Sequence, residues 1–100
     1  MDLIKREFHI SLFDIYQELL TTKQQEYFIL YYYEDYSLKE IAEMKEVSRN
    51  AVFDQLKKVI NNLEEYESKL KIYEKNSKIE SLSEKLSENL KEELLSIIKE

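Results

Sequence analysis

Apolar residues recur at three- and four-residue intervals along almost the whole chain, the period of helices with one buried face. The first run, Phe8, Leu12, Phe13, Ile15, Tyr16, Leu19 and Leu20, predicts a helix over 8–20 that stops at Thr21 and Thr22. Thr22 with Gln25 fits a capping box and opens a second helix reaching Glu34. That helix carries Tyr27, Phe28, Ile29, Leu30, Tyr31, Tyr32 and Tyr33, so it is apolar on more than one side. Ser37 with Glu40 fits another capping box and starts a short third helix ending near Lys45. Ser48 offers a further N-cap, after which Val52, Leu56, Val59, Leu63, Tyr66, Leu70 and Tyr73 share a face with no break before Asn76 and Ser77. A fourth helix of roughly 25 residues would be about 40 Å long, longer than a compact core covers. Residues 78–100 predict a fifth, striped by Ile79, Leu82, Leu86, Leu90, Leu94, Ile97 and Ile98.

Two helix starts and one apolar pattern coincide in SLKEIAEMKEVSRNAVFDQL, residues 37–56, at the spacing of a helix-turn-helix. Ala42 is the small residue needed where the second helix crosses the first, and Val47 plugs the corner between them. Glu46 stands where such corners commonly use Gly, and left-handed backbone costs a residue with a Cβ roughly 1–2 kcal/mol. The second helix then presents Arg49, Asn50, Phe53, Asp54 and Lys57 outward, the face such modules lay into the major groove. Arg49 suits guanine and Asn50 adenine, while Lys57 and Lys58 reach phosphates. Asp54 meets phosphate repulsion on that face unless it accepts from a cytosine amine.

Composition agrees with an all-α fold: the chain of 100 residues has no Gly, Pro, Cys or Trp, with 43% hydrophobic and 36% charged residues. Without Cys there is no disulfide, thiolate metal site or cysteine nucleophile. His9 is the single imidazole and reads as a surface or first-helix packing residue. No Gly-rich phosphate loop accompanies it, so no catalytic set, metal site, cofactor or small-molecule substrate is expected, and the chain does not read as an enzyme. No window is free of charge for the roughly 20 residues of a membrane span, and residues 1–8 lack the apolar core of a signal peptide, so a cytoplasmic protein is expected. Net charge is −6, unevenly spread: residues 1–36 hold 3 basic and 7 acidic side chains, 37–60 hold 5 and 4, and 61–100 hold 7 and 10. Only the helix-turn-helix window is net positive, which predicts weak DNA binding with a shallow salt dependence.

The tyrosines exceed what a small core holds. Tyr32, Tyr33 and Tyr36 are candidate partner-binding residues, since exposed aromatics serve protein interfaces and stack on unpaired bases. The sequence divides into a helix-turn-helix domain over 1–75 and a C-terminal amphipathic helix over 76–100, which packs on the domain or on a second subunit. The apolar surplus of the last two helices points to a homodimer.

Residues 12–58 resemble the YlxM family of small bacterial proteins. The resemblance is carried by LFDIY, LLTTKQ, YYYEDYSLKEIAE and VSRNAVFD, and it continues more loosely through Leu63, Tyr66, Leu70 and Tyr73. Residues 76–100 match the pattern poorly. That family is in turn similar to the helix-turn-helix of sigma-factor region 4. The resemblance implies a small helical protein with an accessory or regulatory role in the signal recognition particle pathway, its gene lying beside that of the particle's GTPase. Two functions are therefore expected: a transcriptional regulator binding DNA, or a module binding the particle's RNA or protein without sequence-specific DNA contact.

Overall fold

A computed structural model describes residues 3–99; Met1, Asp2 and Glu100, at the ends of the two expected segments, lie outside it. The described chain is all-helical: α1 (Leu3–Tyr16), a 3-10 turn (Gln17–Leu19), α2 (Thr22–Phe28) continuing into a π-helical turn (Ile29–Tyr33), α3 (Leu38–Lys45), α4 (Arg49–Leu70), α5 (Ile72–Ser83) and α6 (Glu88–Lys99). The fourth helix is central and packs on α1, α2 and α3, whereas α6 packs mainly on α5.

Two apolar clusters lie on either side of α2. One joins Leu12, Phe13, Tyr16 and Leu20 to Phe28, Tyr32, Val59 and Leu63; the other joins Tyr27 and Leu30 to Ile41, Ala42, Val52 and Leu56. A helix buried on two sides has no polar stripe, which accounts for its aromatic-rich sequence. Phe28 and Tyr32, four residues apart, face one cluster, while Tyr27 and Leu30, three apart, face the other. Phe13, Phe28 and Tyr32 form a continuous stack with ring centroids 4.2 Å apart at each step. The Arg6 guanidinium extends it 5.1 Å from the Tyr32 centroid. Arg6 Nη2 also donates to the Tyr32 carbonyl at 2.7 Å and to Asp35 Oδ1 at 2.9 Å, a cation placed at the carbonyl end of a helix.

Several boundaries differ from the sequence expectation. The first helix starts earlier and gives way to a 3-10 turn after Tyr16. The capping box that opens α2 is Thr21 with Gln24, one residue before the expected pair, because Thr21 takes the extended backbone of an N-cap and its hydroxyl accepts the Gln24 N–H at 3.1 Å.

The larger correction is at Lys71, where the expected long helix breaks. Lys71 adopts φ 54°, and its N–H donates to the Glu67 carbonyl at 2.9 Å, the left-handed C-terminal cap usually given to Gly. The Glu67 carboxylate then serves as the cap of α5, accepting from the Tyr73 N–H at 3.0 Å and the Glu74 N–H at 3.1 Å. Buried Tyr16 completes the joint: its hydroxyl donates to Glu67 at 2.7 Å and accepts from the Ile72 N–H at 3.2 Å. Burial and this bond to Glu67 raise the Tyr16 pKa. The expected fifth helix is divided as well, since α5 ends at Ser83 and α6 begins at Glu88.

Candidate nucleic-acid interface

The helix-turn-helix is α3, its corner and the first half of α4. The Ser37 hydroxyl accepts from the Glu40 N–H at 3.1 Å while the Glu40 carboxylate accepts from the Ser37 N–H at 3.0 Å, so the expected capping box is present. Glu46 takes φ 55° and ψ 44°. The Val47 N–H reaches back to the Ala42 carbonyl at 3.0 Å and the Glu46 N–H to Glu43 at 3.4 Å, which makes the corner a Schellman turn built without Gly. Ser48 then caps α4, its hydroxyl accepting from the Ala51 N–H at 3.0 Å.

Ala42 and Val52 are buried at this crossing, as expected, but Val47 is 41% exposed and does not plug the corner. Its N–H rather than its side chain closes the bend. His9, read as a surface or packing residue, is buried; its Nε2 lies 2.7 Å from Glu64 Oε1 and ties α1 to the outer half of α4.

The six residues expected to face a nucleic acid, Arg49, Asn50, Phe53, Asp54, Lys57 and Lys58, are all exposed. Because Val52, Leu56, Val59 and Leu63 are buried, helical spacing places Asn50, Asp54, Lys57 and exposed Asn61 in the stripe farthest from the core. Arg49 and Phe53, four apart, form the flank on one side, and Lys58 lies on the other. Asn61 was missed in the sequence; the i, i+4, i+7, i+11 series from Asn50 is the signal that finds it. Asp54 sits mid-stripe, so the face carries three cations around one carboxylate.

The two helix N-termini differ electrically. Glu40, held below the usual carboxylate range by the N–H and hydroxyl of Ser37, already occupies the start of α3 with negative charge. The first turn of α4 has no acidic residue, leaving its positive dipole end open to a phosphate. Residues 3–100 match the family model described as "Putative helix-turn-helix protein, YlxM / p13 like". The chain belongs to this family, UPF0122.

The match runs through both C-terminal helices, further than the motif resemblance over 12–73 reached. A UPF0122 protein of Ureaplasma urealyticum serovar 10 is 60% identical over 74 residues, covering 74% of this chain and 75% of the relative. One from Oceanobacillus iheyensis is 55% identical over 75 residues, covering 75% and 71%. Another from Listeria innocua serovar 6a is 52% identical over 79 residues, covering 79% and 72%.

The tyrosines do not join the α4 face. Tyr32, expected at a partner surface, is 3% exposed within the aromatic stack. Tyr33 is exposed but donates to Asp14 of α1 at 2.7 Å, and Tyr36 packs half-buried against the second cluster. Among the described residues no group of three or more His, Cys, Asp or Glu is placed to hold a metal ion, and no helix is long and apolar enough to cross a membrane.

Proposed function

We propose that the protein binds nucleic acid through the exposed first half of α4 and acts as a helix-turn-helix regulator. The observation that carries this reading is the joint exposure of Arg49, Asn50, Lys57 and Lys58 on a helix whose own N-terminus is free of acidic side chains. Arg49 and Asn50 lie in its first turn, where a recognition helix meets base edges, and the two lysines a further turn or two along suit phosphates. The family resemblance extends the proposal to regulation within the signal recognition particle pathway. Fluorescence anisotropy against duplex DNA from upstream of its own operon, at low salt, tests it. Arg49→Ala weakens binding by about 1–3 kcal/mol if that side chain reads a base; unchanged affinity removes the groove contact.

Two observations favour a second reading, in which the same face binds RNA or protein of the particle. Phe53 is 44% exposed, and Asp54 occupies the middle of the outward stripe. An exposed ring stacks on an unpaired base, and a carboxylate tolerates an amine or a peptide N–H better than a phosphate. Hairpin RNA bound more tightly than duplex DNA, with binding lost in Phe53→Ala, selects this reading over the first.

A further inference from the structure

The C-terminal hairpin of α5 and α6 carries two unpartnered faces that complement each other, and from them we infer that it is the contact surface for a second copy of this chain. On α6 and the turn before it, Leu86, Leu90, Leu94 and Ile97 form an open apolar face around Glu93. Leu86, Leu90 and Ile97 are 41%, 55% and 60% exposed, and no residue of α6 is buried. On α5, Lys71, Glu74, Lys75 and Lys78 line a shallow groove with Ile79 and Leu82, and Leu82 is 61% exposed. Lys78 bonds Glu74 at 3.3 Å, whereas Lys71, Lys75 and Glu93 make no ion pair among the described residues.

One hairpin thus presents an apolar face with an acidic member on α6 and an apolar groove on α5 whose rim carries three lysines and one glutamate. A nucleic acid fits only the rim and leaves the apolar α6 face bare. A second hairpin related by a two-fold axis satisfies both, since α6 of each copy seats on α5 of the other and the two contacts are identical. A contiguous apolar patch of this kind on a small chain marks an interaction surface. The opposed charges fix which faces meet. This inference does not depend on what α4 binds.

Sedimentation equilibrium of the full chain in the micromolar range tests it, with circular dichroism to check folding. The wild type sediments with the mass of a dimer, and Leu90→Glu, which places a charge in the contact, sediments as a monomer. Glu93→Lys alone and the pair Lys75→Glu with Lys78→Glu each weaken self-association about tenfold, the equivalent of 1.4 kcal/mol. Mixing these two variants restores dimers, because each α6–α5 contact in the mixed pair then joins opposite charges. All the altered side chains are exposed or half-buried at the surface, so the monomers keep their helix content. A wild type that stays monomeric, or a mixture no tighter than its components, overturns the proposal.

Discussion

Around Leu56 the protein is closed: Ile41, Val52, Leu56, Val59 and Leu63 are all fully buried where α4 meets the three helices before it. Around Leu90 it is open, since Ser83 is the sole buried residue recorded across α5 and α6. The same amphipathic periodicity therefore serves two purposes. In the first half the apolar stripe is consumed by the fold, and the polar stripe of α4 is left exposed. In the hairpin the apolar stripe itself remains outside. A stripe that the fold leaves uncovered is surface available for association, and its burial state rather than its sequence tells the two roles apart.

The largest expected difference between the halves is in core truncation. Leu56→Ala removes a fully buried side chain and is expected to lower stability by about 2–5 kcal/mol in urea denaturation. Leu90→Ala, in dilute monomer, changes it by no more than about 0.5 kcal/mol. Equal losses at the two positions would mean that the hairpin stripe is buried after all.

The joint between the halves comes next. Glu67→Gln keeps the size of the side chain but weakens its acceptors for the α5 N–H groups and for Tyr16. A loss of about 1–2 kcal/mol is expected, with faster amide exchange at Tyr73 and Glu74 while α3 amides are unaffected. Uniform exchange acceleration along the chain would instead make the joint part of one cooperative core.

Alkali separates the halves by a different route, because the chain beyond Tyr73 has no tyrosine. Burial pushes Tyr32 up to about 12, and partial desolvation of the exposed Tyr33, with its bond to Asp14, does the same there, against an ordinary value of 10.0. The folded chain holds these protons where the unfolded chain has lost them. The associated stability is fully present below about pH 10 and is lost as pH rises toward 12. Denaturation midpoints that stay flat across that window would contradict the assignment.

The smallest effect is expected at the corner. Glu46→Gly relieves a left-handed residue, offset in part by the greater freedom of Gly in the unfolded chain, for a net gain of about 0.5–1 kcal/mol by thermal denaturation.

The helix-turn-helix was legible because its signals are local: Ser37 with Glu40, Ser48, and the buried spacing from Val52 to Leu63 each lie within a few residues of the geometry they create. The exposed site residues on α4 follow from the same periodicity. The break at Lys71 was not legible, since Leu70, Tyr73 and their neighbours continue the apolar pattern and the cap comes from Glu67, within the preceding helix. Tyr16, more than fifty residues away, completes it. Tyr32 was misplaced for a related reason: this segment is buried on two sides, and the partners that cover Tyr32 come from α1 and α4, distant in the sequence. Val47 failed because a backbone hydrogen bond, rather than its side chain, closes the corner.

If the exposed half of α4 meets nucleic acid, affinity falls with salt in proportion to the phosphates its cations reach. With Lys57 and Lys58 as the phosphate-reaching cations, the slope of log affinity against log salt should be no steeper than about −2, at about 0.9 per contact. Changing Lys57 and Lys58 together to Ala should flatten it by about 1.8. Identical slopes for the wild type and the double variant would contradict the account.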